Sequence, residues 1–207
     1  MARYPAQVFV DLIDKKTIEV NGVKVKLRFM LQADHMESNT EMKVTVLNLH
    51  PLGAEQFNSD IETNQMIRFL CKQNYQVLTF VNLFPYNVGT SEQFRELASD
   101  DSLKEFILMN RESIKLAISN CDTFILAWGD RPSYITKKRF DEAVQFVYQL
   151  IEETGLLEDT FVFKYGHSHS VTRKGNPESP KKKVIEEILP ISDFEALTDP
   201  QNRNQLG

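Results

Sequence analysis

Residues 76–84 read QVLTFVNLF. Apolar side chains run through this stretch, with Thr79 and Asn82 the polar interruptions after Gln76. A run this short and this continuous fits a strand buried on both faces. Just upstream, Ile61–Lys72 carries Ile61, Met66, Ile67, Leu70 and Cys71, and its periodicity predicts a helix. Upstream again, Lys43–Leu49 (KVTVLNL) is a second strand-like run. Downstream, Ser102–Ser119 carries Leu103, Phe106, Ile107, Ile114 and Ile118, with Asp100 or Asp101 near its start as an N-cap. Thr123–Gly129 (TFILAWG) is a third strand run. Asp141–Thr154 is a third helix with Gly155 beyond it as a C-cap. Thr160–Gly166 (TFVFKYG) is a fourth strand run. Strands alternating with helices place helices on both faces of a parallel sheet. The expected fold is a three-layer α/β/α domain with a central four-stranded, mainly parallel sheet.

The flanks read differently. Residues 16–31 alternate around Asn21-Gly22, a strong hairpin turn signal. Residues 1–42 are therefore expected as an N-terminal β-hairpin extension, with polar residues 32–42 as a loop. Val184–Ile191 (VIEEILPI) is a candidate edge strand. Residues 195–207 are expected as a polar tail that frays from about Thr198 onward. The whole of 1–207 is expected as one domain.

Composition sets limits. The chain has 207 residues and a formal net charge of -5, with 42% hydrophobic and 26% charged residues. That balance argues against a general nucleic-acid coat but leaves room for a local basic groove. No apolar run approaches the roughly 18–20 residues that span a bilayer, so no membrane partner is expected. The start shows no signal peptide, and a cytoplasmic location is expected. Cys71 and Cys121 sit in apolar contexts without zinc-finger spacing, and are expected as reduced, packed thiols. No Gly-rich dinucleotide loop or Walker-type loop is present, so no cofactor is expected.

The chemistry concentrates at the strand ends, where open α/β sheets bind ligands. The runs end in Asn48-Leu49-His50-Pro51, Asn82-Leu83-Phe84-Pro85-Tyr86-Asn87, Trp128-Gly129-Asp130 and His167-Ser168-His169. Amides such as Asn48 and Asn82 pair with donors and acceptors on a nucleobase edge. Phe84, Tyr86 or Trp128 can stack on a flat ring. His50, His167 and His169 can transfer protons or stabilise a developing anion. Beyond them, Arg173, Lys174, Lys181 and Lys182 offer phosphate contacts.

This order resembles the uracil-DNA glycosylase superfamily, on His50-Pro51, Asn82, Leu126-Ala127-Trp128-Gly129 and His167-Ser168. More closely, NLFPY, AWGD and the Gly-x-Pro-x-x-Pro segment Gly175–Pro180 resemble an uncharacterised bacterial and phage domain family. The resemblance spans roughly residues 43–180. It implies a hydrolase that excises a base, here a modified pyrimidine, from single- or double-stranded DNA, with anti-phage defence as a role. It implies catalytic duty for His167 and for Asn48 or His50, and base reading by Asn82 with Phe84 stacking on the base. Trp128, Asp60 and His169 complete the implied substrate contacts. Where the best-known glycosylases carry an aspartate in the first turn, this chain has His50; Ser168 replaces the proline after the histidine. Ser179 stands where the second family often has histidine.

Each residue also has a plainer role. Asn82 and His50 can serve their turns, Asp60 and Asp130 can be helix caps, and Phe84 and Trp128 can be core. The Lys181–Lys183 run can be a solvated face. His167-x-His169 lacks an evident third ligand, so no metal is expected. Two other functions remain open: a non-catalytic nucleic-acid or nucleotide binder on the same scaffold, and an enzyme acting on free nucleosides or nucleotides.

Overall fold

A computed structural model describes residues 2–20, 22–86 and 103–198. Asn21 of the hairpin turn, Asn87, the Asp100 and Asp101 caps, Ser102 and the tail from 199 lie outside the described residues. The elements run β1 (Val8–Val20), β2 (Val23–His35), β3 (Lys43–Asn48), α1 (Ile61–Lys72), β4 (Val77–Asn82), α2 (Leu103–Ser119), β5 (Thr123–Ala127), α3 (Lys137–Thr154), β6 (Thr160–Tyr165), β7 (Ile185–Pro190), a 3₁₀ turn (Ile191–Asp193) and α4 (Glu195–Thr198).

The four apolar runs pair as parallel neighbours in the order β4-β3-β5-β6. The sheet does not stop there. It has seven strands, in the order β1-β2-β4-β3-β5-β6-β7, and mixed orientation. The hairpin joins antiparallel through β2 on β4, and β7 joins antiparallel on β6. The expected four-stranded sheet with a separate hairpin extension is therefore corrected: the hairpin is part of the sheet. Residues 32–35, expected as loop, are strand, because Gln32, Ala33 and Asp34 pair with both β1 and β4. Backbone pairing on both edges outweighs their polar composition.

The register explains why the hairpin looked short. Pairing slips between Val10 and Leu12 and between Asp14 and Lys15. Asp14 pairs with Met30 but Lys15 with Arg28, so Phe29 is an extra residue on β2. A bulge shifts the two-residue alternation by one place. Accordingly Leu27 and Phe29 face one side of the sheet, whereas Leu31 and Ala33 face the other.

Two cores result, one per face. α1 packs Met66, Ile67 and Leu70 with Val44, Val46, Leu78, Phe80 and Phe163. α2 and α3 pack Ile114, Ile118, Val147 and Ile151 with Leu47, Val81, Phe124 and Leu126 on the opposite face. Asp60 caps α1, its Oδ1 accepting from Thr63 N at 2.7 Å and its Oδ2 from Thr63 Oγ1 at 2.8 Å. α3 starts at Lys137 rather than Asp141, because Thr136 Oγ1 accepts from Arg139 N. Gly155 ends it at φ 69°, as its C-cap position predicts.

β3 lies between β4 and β5. The chain leaves β3 for β4 through α1 on one face, and passes to β5 with α2 on the other. The carboxyl end of β3 is thus the topological switch point, where open α/β sheets form a ligand crevice. Burial raises both cysteine thiols to about 11, so both stay protonated at neutral pH. Among the described residues no helix is long and apolar enough to cross a membrane.

Candidate functional site

Asn48 and Asn82 end adjacent parallel strands and are register partners. Alternation along β3 and β4 puts both on the α1 face, after Val46 and Phe80. Both are buried, at 5% and 0% exposure. Asn82 Nδ2 donates a long bond of 3.5 Å to Arg28 O, and its Oδ1 has no partner among the described residues. A buried amide oxygen without a donor is costly to fold around and is free to accept from a ligand.

Two residues that the sequence reading missed hold this corner. Asn110 of α2 donates from Nδ2 to Asn82 O at 2.8 Å and to Leu83 O at 3.2 Å, fixing the end of β4. Its signal was present: Asn110 sits on the helical stripe of Phe106, Ile114 and Ile118, where an apolar residue belongs. Arg28 occupies a polar slot between Leu27 and Phe29, which reads as solvent-facing, yet it is buried on the α1 side. Burial lowers its pKa below the ordinary arginine range, opposed first by the charge of Asp60 and then by Tyr4 and Glu55.

The β6–β7 connection builds the second part of the site. His167, His169, Arg173 and Lys183 line a cavity of about 430 Å³ with Asp130 and Thr172. Residues 166–183 hold five cations against one carboxylate, Glu178. Glu178 pairs with Lys183 at 2.9 Å, and Lys183 Nζ also sits 5.2 Å from the Tyr165 ring centroid. Arg173, Lys174, Lys181 and Lys182 are exposed, and Lys182 takes a left-handed φ of 55°. Both histidines are exposed.

Asp130 shapes this loop. Its Oδ1 accepts from Thr172 Oγ1 at 2.6 Å and from Asn176 Nδ2 at 3.0 Å. Beside it, Gly129 N donates to Pro177 O at 2.8 Å. The AWGD and Gly-x-Pro-x-x-Pro segments are thus one interlocked turn. Gly129 has φ +72°, and an added Cβ would lie 3.1 Å from Ser179 Cβ. Gly129→Ala is expected to destabilise by about 1–2 kcal/mol from backbone strain. The shift in urea midpoint checks it; an unchanged midpoint contradicts it.

His50 follows β3 and feels the charge of the basic loop. Burial pushes its imidazole below the ordinary 6.5, and Lys181 acts in the same direction, while the Pro51 carbonyl and Glu62 oppose. Lys181 thus bears on His50 while Lys183 of the same loop lines the histidine cavity. Gln65 of α1 donates to Lys183 O, anchoring the loop beside the β3 turn. A lowered folded pKa means that the unfolded chain binds the proton more readily. The contribution of neutral His50 is therefore full above 6.5 and lost as pH falls below it. His50→Gln is expected to flatten the fall in melting temperature between pH 7 and pH 5. Parallel profiles for the two proteins would contradict this.

The structure thus brings Asn48 and Asn82 together, and brings His167, His169 and Arg173 together, while Lys181 of the basic loop acts on His50. It separates Trp128 and Phe84 from both. Trp128 is 1% exposed in the α2–α3 core, edge-on to Tyr148 at 6.1 Å. Phe84 is buried in the same core. Asp60 is engaged as the α1 cap.

Residues 28–180 match the model of a family described as "Protein of unknown function (DUF1643)". The match covers well over half of the chain, and the chain belongs to this family. Membership agrees with the resemblance to an uncharacterised domain family; it carries no link to the uracil-DNA glycosylase superfamily. No curated protein matches the chain.

Proposed function

We propose that this chain is a DNA glycosylase-like hydrolase that removes a modified pyrimidine from deoxyribose. The observation that carries the reading is the register pair Asn48–Asn82 at the switch point, with an amide oxygen on Asn82 that has no partner among the described residues. The basic loop of residues 166–183 follows β6, a parallel strand of the same sheet, and its Lys181 acts on His50. A flipped base needs donors and acceptors for its edge, and its flanking phosphates need cations. Asn82 reads the base edge. Water, positioned by Asn48 or His50, adds its oxygen to the sugar C1′ as the C1′–N bond breaks. The bond electrons leave with the base, His167 donates a hydrogen bond to that growing negative charge, and the proton released by the water ends on the free base. Arg173, Lys174, Lys181 and Lys182 hold the backbone. Phe84 and Trp128 take no part, being core.

A modified base in invading DNA is the target favoured by the resemblance to phage and bacterial domains, and gives the activity a defence role. The test is incubation with single- and double-stranded oligonucleotides carrying uracil, mismatched thymine, hydroxymethylcytosine or its glucosylated form. Alkaline cleavage at one of these bases supports the reading; intact strands throughout oppose it. A second reading, a non-catalytic nucleic-acid binder, is favoured by the lack of an orienting hydrogen bond on the exposed His167 among the described residues. Intact strands with steeply salt-sensitive binding would favour that reading.

A further inference from the structure

A separate cavity of about 300 Å³ opens between the β1–β2 hairpin and the loop of residues 51–55 after β3. Its charged lining is Lys15, Lys16, Lys26, Arg28 and Glu55. Lys15, Lys26 and Arg28 face Glu55 here, with the Asp60 charge also acting on Arg28, while Lys16 pairs in register with Leu27 and turns to the other face of the sheet. Such a local field attracts anions whatever the total charge.

The arginine is the unusual member. Arg28 is 8% exposed, and its Nη1 donates to Ala54 O at 2.5 Å. Its Nε has no partner among the described residues. A buried guanidinium with an unused donor is costly to keep, and its fork geometry suits an oxyanion. The lysines around it are engaged loosely. Lys15 Nζ lies 2.7 Å and Lys26 Nζ 3.6 Å from the Glu55 carboxylate, whose side chain is 38% exposed. Lys16 Nζ rests 4.9 Å from the Phe106 ring centroid. Exposed pairs of this kind are worth little and exchange easily for a stronger anion. Glu55 occupies the place of a ligand without reaching Arg28 with any hydrogen bond among the described residues.

We infer that this cavity binds a phosphate group, with Arg28 as its buried anchor, Lys15 and Lys26 as rim cations, and Glu55 as a built-in stand-in that the ligand displaces. One carboxylate, Glu55, answers both lysines and makes no hydrogen bond to Arg28 among the described residues; a dianionic tetrahedral group supplies the charge and acceptors to engage all three cations. The phosphate can come from a free phosphate ester or from a nucleic-acid backbone. The inference stands without the glycosylase reading.

The test is calorimetric titration at fixed ionic strength with inorganic phosphate, a nucleoside 5′-monophosphate and a short single-stranded oligonucleotide. Saturable phosphate binding is expected. Arg28→Gln is expected to weaken it about tenfold or more. Glu55→Gln is expected to tighten it about three- to fivefold by removing the competing carboxylate. That gain keeps the test decisive even if Arg28→Gln fails to fold. Competition by the oligonucleotide identifies a backbone clamp; saturation by the monophosphate without such competition identifies a free-ester site. His167→Ala is expected to leave phosphate binding unchanged, so this site and the glycosylase reading fail separately. Absence of saturable binding, or Glu55→Gln binding no tighter than wild type, overturns the inference.

Discussion

His167→Ala is expected to slow base release by about 10²- to 10³-fold, the usual contribution of a positioned hydrogen-bond donor to a developing anion. The same change is expected to shift unfolding free energy by no more than about 0.5 kcal/mol, as for surface positions generally. The two expectations come from one observation. His167 is exposed at the mouth of a cavity and packs against no core. Among the described residues its imidazole makes no hydrogen bond and joins neither core, so a large loss of rate points to chemistry. Asn82→Ala should lose activity on a comparable scale, but its stability argument is different. Asn82 is fully buried, and its one side-chain bond among the described residues is a long 3.5 Å contact. Removing an amide whose oxygen has no partner relieves a desolvation cost and offsets the small void it leaves. Both variants should therefore fold, which circular dichroism checks. Wild-type rates in either variant would remove that residue from the mechanism.

Trp128→Ala is expected to cost about 3–5 kcal/mol of stability, the range for truncating a buried aromatic side chain. Trp128 is among the largest fully buried side chains, and Tyr148 packs on it edge-to-face with an interplanar angle of 85°. Its indole Nε1 has no hydrogen-bond partner among the described residues. Trp128→Phe should therefore cost much less, since it keeps an aromatic ring and discards the stranded donor. This is the chain's single tryptophan, so the urea transition must be followed by circular dichroism rather than fluorescence. If Trp128 served as a stacking platform instead, alanine would leave stability near wild type and abolish activity. That outcome would contradict its place in the core.

The central sheet was legible because β4, β3, β5 and β6 are buried on both faces, and double burial writes a continuous apolar run into the chain. The outer strands were not, for a physical reason. Bulges at Val10–Leu12 and at Phe29 shift the alternation, so Val8–Val20 shows no single two-residue period. Gln32 and Asp34 are held in β2 by backbone pairing, which their side chains do not advertise. The site was legible to the same degree. Strand ends located Asn48, Asn82, His50 and His167, because a carboxyl-end position follows from the strand itself. Which face each side chain takes depends on register, and that separated Phe84 and Trp128 from the asparagines. Arg28 escaped notice because a cation in an alternating strand looks solvated; its burial comes from the β3–α1 loop, whose Ala54 carbonyl it meets, a contact the strand pattern does not show.

The most direct measurement is mass spectrometry of what leaves the DNA when the protein acts in ¹⁸O-labelled water on the modified-pyrimidine oligonucleotides. The proposed hydrolysis predicts release of the free base, with one ¹⁸O at the sugar C1′ of an otherwise intact strand. Release of a nucleoside or nucleotide, or of no product from any substrate in the panel, would contradict it.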